Sequence, residues 1–255
     1  MPGIFKSDMV RFALNNTYER SLEYSSINQM KAFYISDIKF NSTTKKQLID
    51  IPNAVPMTIT SLGKYKEYSK TRINFGVKTN DLEKKIYVTI TNGIENRVDN
   101  SSVFEKYDTD IYTRADGISI LSTRKDIYKA LHAQTKTVPT VNKEIICNMK
   151  NYKLEDIIVK KNLDATGVWF AGSGMRKLGL KAEAIFSDSI TSNEDYIRNL
   201  RIGGTISSVN FKKLINDKTY SLGITDIGGI ILHTVPESLD QQLEVVEFVY
   251  DNILK

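Results

Sequence analysis

The spacing of apolar side chains divides the chain into a β-rich front and a mixed back. Near the N-terminus, Met9, Phe12 and Ala13 share a helical face behind Ser7 and Asp8, either of which suits a helix cap. Leu22 and Met30 continue a second helical pattern. Positions 31–40, KAFYISDIKF, predict a strand, although Ala32, Tyr34 and Ser36 oppose Phe33, Ile35 and Ile38 only imperfectly. From Val55 to Thr123 the pattern is β, with MTITSL, TRINFGV and KIYVTI rich in β-branched and aromatic residues. Asn92-Gly93 and Asp116-Gly117 each give a short hairpin signal. Thr123 then caps TRKDIYKALHA, a helix with Ile127, Ala130 and Leu131 on one side.

The polar, proline-bearing segment from Gln134 to Asn142 is the natural place for a boundary. It separates a β-rich unit, 1–135, with an N-terminal helix, from an α+β unit, 143–255, unless the chain is one continuous domain. Beyond it KEIICNM, EDIIVK, TGVWFA, LKAEAIF, TISSVNF, YSLGITD and GGIILHT predict strands. Ser192 caps the helix NEDYIRNLRI, which Gly203-Gly204 ends. Ser238-Leu-Asp-Gln241 is a capping-box pattern, and Leu239, Leu243, Val246 and Ile253 recur at helical spacing behind it. No convincing internal repeat is present. The fold class expected is α+β, with mostly antiparallel sheets and a few packing helices, including a C-terminal amphipathic one. Strands and helices do not alternate strictly, which disfavours a doubly wound nucleotide-binding fold.

Composition narrows the picture. Of 255 residues, 41% are hydrophobic and 25% charged, which fits a globular chain rather than a disordered one. Apolar runs are too short to span a membrane, and Lys6, Asp8 and Arg11 interrupt what a secretion signal needs. A cytoplasmic protein without a membrane partner is expected. Cys147 lies in an apolar run and reads as a core residue; one cysteine and two histidines make a structural zinc site implausible. Abundant Lys, Ile, Asn and Tyr point to an AT-rich genome and suggest a mobile element. Net charge is +5, unevenly spread. Lys45–Lys85 and Lys136–Lys181 each hold nine basic and four acidic residues, whereas the last twenty residues hold five acids and one lysine. Cations on strands can line a phosphate groove, or simply solvate a face.

Four patterns carry candidate chemistry. Gly172-Ser173-Gly174 lacks the third glycine of a dinucleotide fingerprint, the Gly-Lys-Ser/Thr of a P-loop and the spacing of a nucleophile elbow. It reads as a hairpin loop that presents Arg176, Lys177 and Lys181 to phosphates. Glu105, Asp108, Asp110 and Asp116, with Glu183, form a carboxylate set suited to magnesium, although aspartates at strand entries commonly cap turns. His132 and His233 match no two-histidine phosphoesterase pattern and read as structural. Finally, Lys64, Lys66, Lys70 and Arg72 interleave with Tyr65 and Tyr68. Rings to stack on bases and cations to meet phosphates fit nucleic acid, and equally an edge strand protected by lysines.

These patterns lead to a non-enzymatic nucleic-acid-associated or regulatory protein, with phosphate contacts from Lys64, Lys66, Lys70, Arg72, Arg176, Lys177 and Lys181. No catalytic residue, metal or cofactor is assigned. The alternatives are a metal-dependent nuclease or phosphodiesterase using the aspartates, and a subunit of a larger assembly joined through a protein partner or a second copy. Lys45–Lys85 and Lys136–Lys181 are expected to meet in one electropositive trough.

Overall fold

A computed structural model describes residues 30–41, 45–51, 55–78, 86–91, 94–99, 104–171, 182–188 and 190–255, with the backbone alone for those between 77 and 105. The helices expected before Met30, the Asn92-Gly93 turn and the Gly172-Ser173-Gly174 loop lie outside these residues.

The imperfect alternation of KAFYISDIKF has a simple cause: this strand is buried on both faces. In β1 (Lys31–Phe40), Phe33 and Ile35 enter one hydrophobic cluster while Tyr34 and Ile38 enter another. Phe33, Tyr34, Ile35 and Ile38 are all buried, so apolar residues occupy both phases of the pleat. The other strands are β2 (Lys46–Ile49), β3 (Met57–Tyr65), β4 (Tyr68–Lys78), β5 (Ile86–Thr91), β6 (Ile94–Asp99), β7 (Phe104–Thr113), β8 (Ile118–Ser122), β9 (Ile145–Met149), β10 (Ala165–Ala171), β11 (Glu183–Phe186), β12 (Thr205–Ile215), β13 (Lys218–Thr225) and β14 (Gly229–Leu232). Five α-helices are described: α1 (Lys125–Thr137), α2 (Pro139–Glu144), α3 (Leu154–Lys160), α4 (Glu194–Arg201) and α5 (Leu239–Val249).

Twelve strands form one sheet in the order β11-β10-β12-β13-β14-β1-β8-β7-β4-β3-β2, with β9 also on β1; β5 and β6 pair separately. All the pairings are antiparallel. The α+β class and the C-terminal helix are therefore present, in a chain that is mostly sheet. Among the described residues, no helix is long and apolar enough to cross a membrane.

β1 is the pivot. It pairs β8 along one edge, and β14 and then β9 along the other. To one side of it, β3, β4, β7 and β8 make an antiparallel meander followed by α1; to the other, β10, β12, β13 and β14 make a second meander followed by α5. Since β8 and β14 are both antiparallel to β1, the two meanders are related by a pseudo-twofold along β1. A rotation of that kind puts their helices on opposite faces. Accordingly, α1 packs with the cluster of Tyr34, Ile73, Ile111 and Leu121, and α3, α4 and α5 with the cluster of Phe33, Val168, Phe211 and Leu222. Each half thus has one sheet face covered by helices. On the other side of the first half, α5 reaches Tyr65, Lys66 and Arg114 through Asp240 and Glu247, and Tyr68, Tyr112 and Ile120 are buried in its cluster, whereas the opposite face of the β10–β14 half carries no helix among the described residues.

Several local expectations need correction. EDIIVK is helix α3: Leu154 and Ile158, four apart, are buried together, and Glu155 and Asp156 sit in the first turn. Thr123 does not cap α1; Arg124 holds that position, and the Thr123 hydroxyl accepts from Thr109 Oγ1. Asn193, rather than Ser192, caps α4, its Oδ1 accepting from the amides of Asp195 and Tyr196. Gln134–Asn142 is helical through α1 and α2, with Val141 fully buried. Ser238 caps α5 as expected, its Oγ accepting from Gln241 N at 3.2 Å.

Candidate nucleic-acid interface

Lys64–Arg72 folds as a hairpin, not as the single strand that its alternation suggested. Tyr65 pairs with Tyr68 across a turn at Lys66-Glu67, where Lys66 has φ 53°. Nothing local demands that turn. Tertiary contacts hold it: the Tyr65 ring meets Tyr112 edge-on at 5.7 Å, and the Tyr65 hydroxyl donates to Asp240 Oδ1 at 2.5 Å. Because β4 lies between β3 and β7, the segment is not an edge strand either.

The cations of this hairpin are matched by carboxylates of the same chain. Lys66 Nζ lies 2.8 Å from Asp240 Oδ2 at the start of α5. Lys70 Nζ lies 3.0 Å from Asp110 Oδ2, and Arg72 donates to both oxygens of Asp110, at 2.6 and 3.0 Å. Burial pushes the Asp110 carboxyl up, but the bonds from Arg72 and Lys70 outweigh it and hold the group below the ordinary carboxylate range. Asp240 is also held low, first by its bond from Lys66. Further along, Arg114 reaches Glu247 on α5 and Asp251 in the turn that follows it. The acidic C-terminal helix therefore neutralises part of the first basic stretch from within. Lys64 is exposed and registers with Ser69, out of the row that joins Lys70 to Tyr112 and Arg72 to Asp110.

The expected carboxylate set does not assemble. Asp110 is engaged as above, and Asp116 accepts from Arg114 and from Ile118 N within the β7–β8 turn. Glu183 stands on β11, bound by Arg198 and Asn199. Asp108 is exposed beside Asp110, and the Glu105 side chain lies outside the described set. Among the described residues, no three histidine, cysteine or acidic side chains gather as a metal site. Cys147 is buried, which pushes its thiol up to about 11. His132 Nδ1 donates to the Cys147 carbonyl at 2.7 Å, a structural contact.

The two basic stretches meet at one place, where Thr140 Oγ1 on α2 donates to the Asp50 carbonyl just after β2 at 3.2 Å, while their strands β4 and β10 lie apart in the sheet order. Between β4 and β10 lie β7, β8, β1, β14, β13 and β12, roughly 34 Å at the usual strand spacing. β4 and β10 therefore do not line one trough between them.

A different surface was missed by sequence reading. The helix-free face of β10–β14 carries Trp169, Phe186, Ser208, Asn210, Lys212, Ser221 and Ile231, by the register of paired residues. Phe186 is 66% exposed, and its ring meets Trp169 edge-on with centroids 5.2 Å apart. His233 Nε2 donates to Asn210 Oδ1 at 3.2 Å. Arg176, Lys177 and Lys181 lie outside the described residues, in the connection between β10 and β11, the two strands that bear these rings. The signal available beforehand was an aromatic on each side of that basic connection. It was overlooked because TGVWFA and AIF look like ordinary core strands.

No known family model matches the chain, and no curated protein does.

Proposed function

We propose that this chain is a cytoplasmic, non-enzymatic nucleic-acid-associated protein, encoded by a mobile element, that holds phosphates through cations around the β10–β11 hairpin. One observation supports this most. The described strand positions on the helix-free face of β10–β14 combine the exposed Phe186 ring and the half-buried Trp169 ring with amide and hydroxyl groups, Lys212 and the apolar Ile231 and Leu214, with no carboxylate among them. The connection from β10 to β11 adds Arg176, Lys177 and Lys181 beside it in sequence. Lys66, Lys70 and Arg72 are in ion pairs, so in this proposal they contribute less than the loop cations, with Lys64 as an exposed addition. Contacts of this kind are mainly electrostatic and indifferent to base sequence.

The test is retention of a labelled oligonucleotide at low salt by the intact chain and by a variant with Arg176, Lys177 and Lys181 each changed to Glu. The proposal predicts clear retention by the first and at least tenfold weaker retention by the second. Equal retention by both, or by neither, contradicts it.

The sheet edges favour a second reading, a subunit of a larger assembly. Among the described residues β2 pairs only with β3, and Leu48 on it is 67% exposed. Strand addition there would extend the sheet. A sedimentation series in which Leu48→Lys shifts an oligomer to monomer supports that reading, and a concentration-independent monomer with the native residue removes it for self-association.

A further inference from the structure

We infer that Trp169 and Phe186 form a stacking platform for unpaired nucleobases, so that the ligand is single-stranded rather than duplex nucleic acid. This rests on the nucleic-acid reading above and specifies what that surface takes. The platform is built by the sheet itself. Phe186 registers with Gly167, and Ala184 with Trp169. A Cβ on Gly167 would come within 2.9 Å of the Phe186 ring, so the missing side chain lets that ring lie across β10. Trp169 is half-buried, which fixes it, while Phe186 stays open to solvent. Rings held in this way lose little freedom when a base stacks on them.

Polar groups continue the surface along β12. Ser208 registers with Trp169, Asn210 with Gly167, and the exposed Lys212 follows two positions on. Gly223 leaves room for the Asn210–His233 pair, since a Cβ there would meet Asn210 Oδ1 at 2.9 Å and His233 Nε2 at 3.2 Å. A line of hydroxyl, amide and ammonium groups leading away from two rings suits a strand whose bases stack and whose phosphates follow the lysine. The row ends at the exposed Leu214, but an apolar protein partner spanning from there to the rings would be met by Ser208, Asn210, Lys212 and Ser221 at the centre of its footprint, where those groups would lose water. In a duplex the bases are already stacked on one another and cannot reach the rings.

Trp169 is the sole tryptophan of the chain, so its emission reports on the platform directly. Fluorescein-labelled oligothymidylate is titrated into the full chain and followed by anisotropy. In parallel, tryptophan emission is recorded with unlabelled oligothymidylate and with inorganic polyphosphate, a polyanion without bases. Oligothymidylate should quench Trp169, whereas polyphosphate should not. Phe186→Leu, which keeps an apolar side chain over Gly167 but removes the π face, should weaken oligothymidylate binding about tenfold, with Phe186→Tyr close to the native chain. Anisotropy that rises with unchanged emission and a neutral Phe186→Leu overturns the platform and leaves the phosphate-binding reading in place. Equal quenching by polyphosphate also overturns it. No binding at all removes both.

Discussion

Asp110 shows how one carboxylate sets the behaviour of its neighbours. It receives Arg72 and Lys70 from β4, and Lys70 also sits over the Tyr112 ring at 5.3 Å. Its pKa is depressed in the folded chain, so its stabilising effect is present above the unfolded carboxylate value and is lost as pH falls through the folded one. Asp110→Asn should therefore cost about 1 kcal/mol at neutral pH, the low figure following from the 44% exposure of the Arg72 side chain. The check is the urea midpoint at neutral and acidic pH. The native chain should lose more stability on acidification than Asp110→Asn does, and identical losses would show that this group contributes nothing. The pairing itself was not legible beforehand. Arg72 and Asp110 are distant in sequence and meet only because β4 and β7 register in this way.

At the scale of elements, local chemistry was readable and long-range chemistry was not. Ser238 and Asp116-Gly117 do what their types predict: Ser238 caps α5, and Gly117, at φ 86°, closes the β7–β8 turn. The Lys66-Glu67 turn and helix α3 were misread because their causes are elsewhere. A tyrosine cluster and Asp240 hold the former, and burial of Leu154 and Ile158 against the sheet decides the latter over the β propensity of its isoleucines and valine. Two substitutions separate local from packing effects. Ser238→Ala should cost about 1 kcal/mol by loss of a cap. Gly229→Ala should cost about 1–3 kcal/mol, because its Cβ would stand 2.6 Å from Thr225 Oγ1 and 2.7 Å from the Tyr34 ring. Denaturant midpoints check both; a neutral Gly229→Ala would mean that Tyr34 and Thr225 can move aside.

Across the whole molecule, the predicted class survives, but its arrangement could not be foreseen. Placing β1, from the start of the described chain, between β8 and β14 is a long-range event that no local pattern encodes. It also has a mechanical consequence. We propose that the two meanders unfold together, since β1 belongs to both hydrophobic clusters. Trp169 emission, which reports on the β10 half, should then change at the same denaturant concentration as the circular dichroism of the whole chain. Two separated transitions would instead support independent units on either side of residues 134–142. The same layout leaves an aromatic and cationic face on one half and a cation–carboxylate network on the other, and this difference underlies the proposed function. The most direct test of that function is the salt dependence of oligothymidylate affinity. Four phosphate contacts, from Arg176, Lys177, Lys181 and Lys212, predict a log–log slope of about −3 for single strands. A slope near zero, or no measurable affinity at low salt, would contradict it.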